Sequence, residues 1–358
     1  MAPHRFRAAP GFLVARRPSD GRSSPGRMAE TVGGGPERMA HLDPAIFLRM
    51  AGEGRLEEVR QALDRSPELV NASGPHPFWG GRPQPLHIAI ETRQYALFEL
   101  LLEAGADVDG AGADYDLWSP LMLASAHPGM RDELLRRGSR VGVPEALLLA
   151  DDSALEDLLA GGVAALPDRV PGGGSLLNFA RTIRAIDRLV ALGVSTTMPD
   201  RWGATPLTAL SRLGARGAPL VSHLVALGVP AGAEHFARLG DRAALEALPE
   251  AEVATDTVMI EAVESGSHSL VQWLLERGAP VQARAPGSAR QTALHCAAWR
   301  GDLKMAEILV RAGASLTARD DEHNGTPEEW ADAAAVITKN EACRSVSRFL
   351  AACAGGAG

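Results

Sequence analysis

One local pattern recurs along this chain and sets what it can fold into. A Thr or Ser is followed by Pro or Ala, then by Leu and a run of small apolar residues; a Leu-rich segment comes next and ends on glycine. Clear copies are Thr292-Ala293-Leu294-His295-Cys296-Ala297-Ala298 ahead of Gly313, Pro85-Leu86-His87-Ile88-Ala89 ahead of Gly105, and Thr205-Pro206-Leu207 ahead of Gly228. The distance from the leading position to the closing glycine is 21 residues at 84→105, 257→278 and 292→313. Aligned on the Thr position, the pattern starts at Ala45, Gln84, Ser119, Val143, Ser175, Thr205, Ala231, Thr257, Thr292 and Thr326, ten units at a mean spacing near 31.

Elementary chemistry gives each part of the unit a task. Thr205 or Thr292 suits a helix N-cap, its hydroxyl accepting a free first-turn amide. Pro206 follows at the first helical position, where no donor is needed and φ is already set. Leu86, Leu207 and Leu294 open an apolar stripe continued by Ala, small enough for neighbouring helices to approach closely. Gly266 and Gly301 break the chain, and a second helix carries Leu pairs such as Leu101/Leu102 and Leu274/Leu275. Gly105, Gly138, Gly193, Gly228, Gly278 and Gly313 then stop it as C′ residues able to take positive φ. A short finger of turn residues leads to the next Thr. A helix pair this small has one apolar face and no core of its own, so units must stack. Spacings of 24 and 26 residues, at Ser119→Val143 and Ala231→Thr257, leave little room for a finger and predict tighter turns there. The loop at 163–174, with Pro167, Pro171 and three glycines, leaves a division into two arrays open.

Composition fits such a stack. Hydrophobic residues are 46% of the chain but aromatics only 4%, so the core is aliphatic. No run of about 18 apolar residues occurs, which excludes a membrane-spanning helix. Cys296, Cys343 and Cys353 are too few and too scattered for a disulfide scaffold, and suit a reducing, cytoplasmic setting. Lys304 and Lys339 are the only lysines among 36 basic residues, a bias expected of a GC-rich, bacterial genome. Residues 1–40 hold seven arginines and a balance of +4, which leaves −12 for the rest. A body this acidic argues against binding a phosphate backbone. The first forty residues are rich in Arg, Pro and Gly, have no periodic apolar pattern, and are expected to lie outside the fold as a disordered tail. A late start at Met28 or Met39, or an organellar leader, stays open for them.

The pattern resembles the ankyrin repeat, whose period is about 33 and whose hallmark is Thr-Pro-Leu-His-x-Ala. The motif is most complete at Gln84, Thr205, Thr257 and Thr292, and most degenerate at Ala45, Val143, Ser175 and Ala231. The resemblance implies an all-α, ankyrin-type solenoid of about ten helix-turn-helix units over residues 41–354, with a flexible end at 355–358. It also implies that His87 and His295 bridge to neighbouring backbone.

Nothing catalytic stands out. His295 and Cys296 are adjacent, but helical neighbours point about 100° apart, and a nucleophile and its base must meet side chain to side chain. Cys296 reads as a substitute for a core aliphatic. Asp320-Asp321-Glu322-His323 falls on the last finger and reads as solvated turn charge. No phosphate loop, Gly-x-Ser-x-Gly elbow or Cys-x-x-Cys pair is present. No enzyme activity, cofactor or metal is expected.

Function then belongs to the surface. Proteins of the resembled family commonly meet partners at finger tips and on the exposed face of the first helix. Carried onto this chain, those offsets give Tyr115, Asp116, Trp118, Arg201, Trp202, Arg212, Trp299 and Arg300. Trp79 lies on the long finger before Gln84. Aromatics and Arg are the residue types enriched in interface hot spots. The expectation is a monomeric protein-binding scaffold that meets a partner protein with one shared face and binds neither nucleic acid nor membrane. The alternative is a regulatory or immunity-type module acting on a partner enzyme.

Overall fold

The computed structural model describes residues 42–78 and 80–355. Residues 1–41, Trp79 and residues 356–358 lie outside the described residues, and with them the disordered segment expected at 1–40 and the interface candidate Trp79. Within them the chain is all-helical, with no strand; two isolated antiparallel bridges, Arg82 to Asp114 and Arg284 to Thr292, sit in fingers.

Helices alternate as inner and outer members of stacked pairs. The first four units are α1 (Pro44–Glu53) with α2 (Leu56–Arg65), α3 (Pro85–Glu91) with α4 (Tyr95–Glu103), α5 (Pro120–Ala124) with α6 (Pro128–Arg136), and α7 (Val143–Leu149) with α8 (Asp152–Leu158). In the fifth unit a 3-10 turn, Leu176–Phe179, replaces the first helix ahead of α9 (Ile183–Ala191). Thr182 caps α9, its Oγ1 accepting from Ala185 N at 3.0 Å, and this second cap comes so soon after Ser175 that only one turn fits. The sixth and seventh units are α10 (Pro206–Ser211) with α11 (Ala218–Ala226), and α12 (Ala233–Leu239) with α13 (Arg242–Glu246). A one-turn α14 (Glu250–Val253) precedes α15 (Asp256–Ser265) and α16 (His268–Glu276). The last two pairs are α17 (Ala293–Arg300) with α18 (Leu303–Arg311), and α19 (Pro327–Thr338) with α20 (Glu341–Gly355).

The glycine punctuation behaves as expected, with positive φ at Gly105, Gly138, Gly193, Gly228, Gly278 and Gly313 and between helices at Gly266 and Gly301. Four caps differ from the sequence alignment. Asp43, not Ala45, caps α1, because only Asp43 has an acceptor, and its Oδ1 takes the Ala45 amide at 2.8 Å. Gly142 and Gly232 hold the cap positions in place of Val143 and Ala231. Having no side chain, each gives its N–H to the third helical residue, Glu145 Oε2 at 3.2 Å and His235 Nδ1 at 3.1 Å. Thr255 rather than Thr257 caps α15, accepting from Val258 N at 3.3 Å. That helix begins half a turn early but keeps the common end at Gly266, so the spacing 257→278 still matched. The turns into both α7 and α12 lack a finger, as does the α13–α15 connection through α14.

One stack runs through the whole described chain. Leu155 and Leu159 share a core with Leu176 and Leu177, so the loop at 163–174 does not divide it. Trp118 packs against both this core and the one before it. Fully buried Ala89, Ala146, Ala237, Ala262 and Ala297 let the first helices approach closely. Leu294 is buried at the same contact. These first helices, with the 3-10 turn of the fifth unit, touch in succession, and α19 returns to touch α1. Lys339 Nζ donates to the Glu53 carbonyl there at 3.1 Å. No comparable contact joins α20 to α2 among the described residues. The first helices are therefore an inner wall, and the second helices the outer layer.

Candidate protein-binding site

Fingers hang from the inner wall by its histidines. His295 Nδ1 accepts the Thr292 amide at 3.1 Å, and its Nε2 lies 3.0 Å from the Gly325 carbonyl of the next finger. His87 repeats this with the Gln84 amide and the Trp118 carbonyl, at 3.3 and 3.1 Å. An acceptor Nδ1 and a donor Nε2 require the neutral ring, and burial lowers both histidines below their usual range. Cys296 is buried in the core of the C-terminal units. Asp320 corrects the reading of its run as solvated turn charge, for it is 2% exposed. Its carboxylate accepts the amides of Glu322, His323 and Gly325 and the Trp330 indole N–H, at 2.7 to 3.0 Å. Burial opposes its charge, but these donors outweigh that and hold its carboxyl below the usual range. No group of three metal-ligating side chains forms among the described residues.

Of the finger candidates, Tyr115 is 3% exposed. Its hydroxyl donates to Glu91 Oε1 at 2.7 Å and its ring stacks on His76, which itself meets Glu91 at 3.1 Å. Trp118 is half-buried, edge-on to Phe179 at 5.8 Å. Both hold fingers to the stack. Asp116, Arg201 and Trp202 come together although 85 residues separate the charged pair. Asp116 forms an ion pair with Arg201, and its other oxygen accepts Gly172 N–H at 2.9 Å. Arg201 N–H donates to the Gly172 carbonyl at 2.9 Å, and its guanidinium lies 5.4 Å from the Trp202 ring centroid. Trp202 lies so close over Gly172 that a Cβ there would sit 2.8 Å from the ring. The third finger thus reaches past the fingerless fourth unit to the loop and finger beyond it.

The remaining candidates lie on first helices. Trp299 meets Trp330 edge-on at 5.8 Å and packs on Ala334, Ala335 and Cys343. Arg300 donates to the Glu264 carbonyl at 2.6 Å. Arg212 is half-buried, and burial, with Arg238 beside it, lowers its pKa.

Two further residues of this wall, Arg238 and Glu264, stand seven positions after the aligned starts Ala231 and Thr257, the offset that separates Arg212 from Thr205 and Trp299 from Thr292. Arg212, Arg238, Glu264 and Trp299 each stand two residues before a positive-φ glycine that follows a first helix, namely Gly214, Gly240, Gly266 and Gly301. Counting back from those glycines finds the row directly. Arg238, 3% exposed, places Nη1 2.9 Å from Glu261 and 3.5 Å from Glu264 of the next unit. The row runs from one first helix to the next along the inner wall.

A model of the ankyrin repeat matches residues 84–112, and one describing ankyrin repeats in many copies matches residues 259–310. No curated protein matches the chain. The two matched stretches fall on the second unit and on the eighth and ninth, and with the all-helical stack around them they make this fold an ankyrin-type helical solenoid.

Proposed function

We propose that this chain is a non-enzymatic scaffold that binds a partner protein through its finger tips and inner wall, acting as a single copy in the cytoplasm. Ankyrin repeats generally mediate protein–protein interaction. The observation that carries the reading is the inner wall itself, where Arg212, Arg238, Glu264 and Trp299 stand at one register on successive units. Arg and Trp supply much of the energy of protein interfaces. Within the proposed surface, Arg201, Trp202, Arg212, Trp299 and Arg300 contact the partner; Tyr115, Asp116 and Trp118 hold the fingers in position. The acidic body speaks against a nucleic-acid partner.

The test is Trp202→Ala, assayed by capture of binding proteins from the native host alongside thermal melts. A hot-spot role costs ~2 kcal/mol or more of binding with little unfolding. Normal capture with a lowered melting temperature rejects Trp202 as a contact residue and makes it a packing residue on Gly172.

A further inference from the structure

The outer layer is interrupted after α11. Helices α9 and α11, nine residues each, pack side by side. The next outer helix, α13, has only five residues, and no comparable contact joins it to α11 among the described residues. The space left is an open groove of about 480 Å³ between α11 and α12. Val221, Val225, Phe236 and Leu239 make its wall apolar, and Val225 is 39% exposed. Among the described residues that line it only Asp241 is charged, at the end where α13 begins. Asp241 Oδ1 caps α13, accepting from Ala244 N at 3.0 Å, while Oδ2 has no partner among the described residues. An apolar wall that ends on a single carboxylate fits an apolar run followed at once by a cation.

The chain itself contains such a run. Phe12-Leu13-Val14-Ala15 is followed directly by Arg16-Arg17, and no acidic residue precedes Asp20. We infer that the groove between α11 and α12 is a docking site for this chain's own residues 12–17, with the apolar run on Val225 and Phe236 and an arginine at Asp241. Length permits it. Arg17 is 25 residues before Leu42, where the described chain begins, which gives up to about 80 Å of extended backbone. A folded body of this size has a radius of gyration of roughly 20 Å, so the segment reaches any face of it. Charge favours it too, because residues 1–40 carry +4 and the remainder −12, a balance that draws the segment to the body. The inference is separate from partner binding by the finger tips and the inner wall. Tethering gives such a segment an effective concentration on the order of millimolar, so any foreign peptide entering this groove must displace it.

The test is amide hydrogen exchange on the full-length protein, comparing residues 12–17 with residues 21–35 of the same chain in wild type, Ser222→Arg and Val225→Arg. Ser222 and Val225 both line the groove and are exposed, so either position takes a long polar side chain without disturbing the core; thermal melts check it. The expected result is exchange at residues 12–17 at least tenfold slower than at 21–35 once intrinsic rates are divided out. Each groove variant should bring the two segments to the same rate. Equal rates in the wild type overturn the proposal. Protection that survives both variants overturns it as well, because the segment then docks elsewhere. Protection that rises with protein concentration, together with a dimer in light scattering, gives the groove to the segment of a second copy and overturns docking within one chain.

Discussion

The ninth and tenth units and the fourth and seventh units solve the same packing problem with different parts. Thr292 and Thr326 cap their helices through a hydroxyl, with His295 or Glu329 closing the box, and long fingers precede both. The fourth and seventh units begin directly after a glycine turn, at Gly142 and Gly232, and carry no finger. Their other parts correspond at a constant offset of 90 residues: left-handed caps at Ala150 and Gly240, then Asp151 and Asp241 capping the outer helix. Their outer helices are short, seven residues in α8 and five in α13. An open groove of about 480 Å³ lies between α11 and α12, reaching the Asp241 cap of α13, and is lined by Val221, Val225, Phe236 and Leu239 among others. Stacking therefore needs the caps and the inner apolar stripe. The finger is an addition, and where it is missing the outer layer thins.

Core truncation tests that difference most strongly. Leu294→Ala removes a side chain enclosed on both sides by full units and is expected to cost ~2–5 kcal/mol in denaturant unfolding. Leu245→Ala, fully buried in α13, should cost about 2 kcal/mol, the low end of that range, because an outer helix of only five residues can settle into the space. A larger loss at Leu245 than at Leu294 breaks the comparison.

The two kinds of unit also differ in how well their sequences disclose them. Closing glycines could be read directly, because positive φ is a property of the residue itself. Caps at Gly142 and Gly232 could not, since the chemistry sits three residues later in Glu145 and His235. Thr255 and Thr257 are chemically equal, and only the packing of α15 chooses between them. The inner-wall row is visible in the alignment, because Arg212, Arg238, Glu264 and Trp299 each stand seven positions after an aligned start, even where the actual cap is Gly232 or Thr255; the burial of Arg238 against Glu261 and Glu264 is not. Burial of Tyr115 depends on His76 and Glu91, contributed by another finger and another helix, so no local pattern announces it.

Acid should separate the units next. His87 and His295 are lowered by burial, and unfolded histidine takes up a proton near 6.5, so the unfolded chain binds more protons below that value. Stability is then full above pH ~6.5 and falls as pH drops, by at most about 1.4 kcal/mol per unit for each ring. His127, lowered to about 4 by burial and by Arg93, acts in the same direction until about that pH. Hydrogen exchange followed from pH 7 to 5 should show α3 and α17 losing protection before α7, which has no histidine. Uniform loss across the three helices would mean that the histidine boxes do not set the acid limit.

The smallest effect expected is at Asp116, and it isolates what compensates for a missing finger. Asp116 stands at φ 52°, a conformation Asn adopts as readily as Asp, so Asp116→Asn changes charge without straining the backbone. The amide oxygen still accepts the Gly172 N–H, but the ion pair with Arg201 is lost. Arg201 has 52% of its side chain exposed, so water and salt already weaken that pair, and its loss should cost ~0.5–1 kcal/mol. The consequence should be local: faster amide exchange at Gly172 and Arg201 and a red-shifted Trp202 emission, with α17 and α18 unaffected. High salt should loosen the wild type towards the variant and leave the variant unchanged, because only the wild type has a pair to screen. If Gly172 and Arg201 exchange alike in both proteins at low salt, the backbone bonds alone carry the bridge across the fingerless unit, and the charge on Asp116 is not needed to hold it.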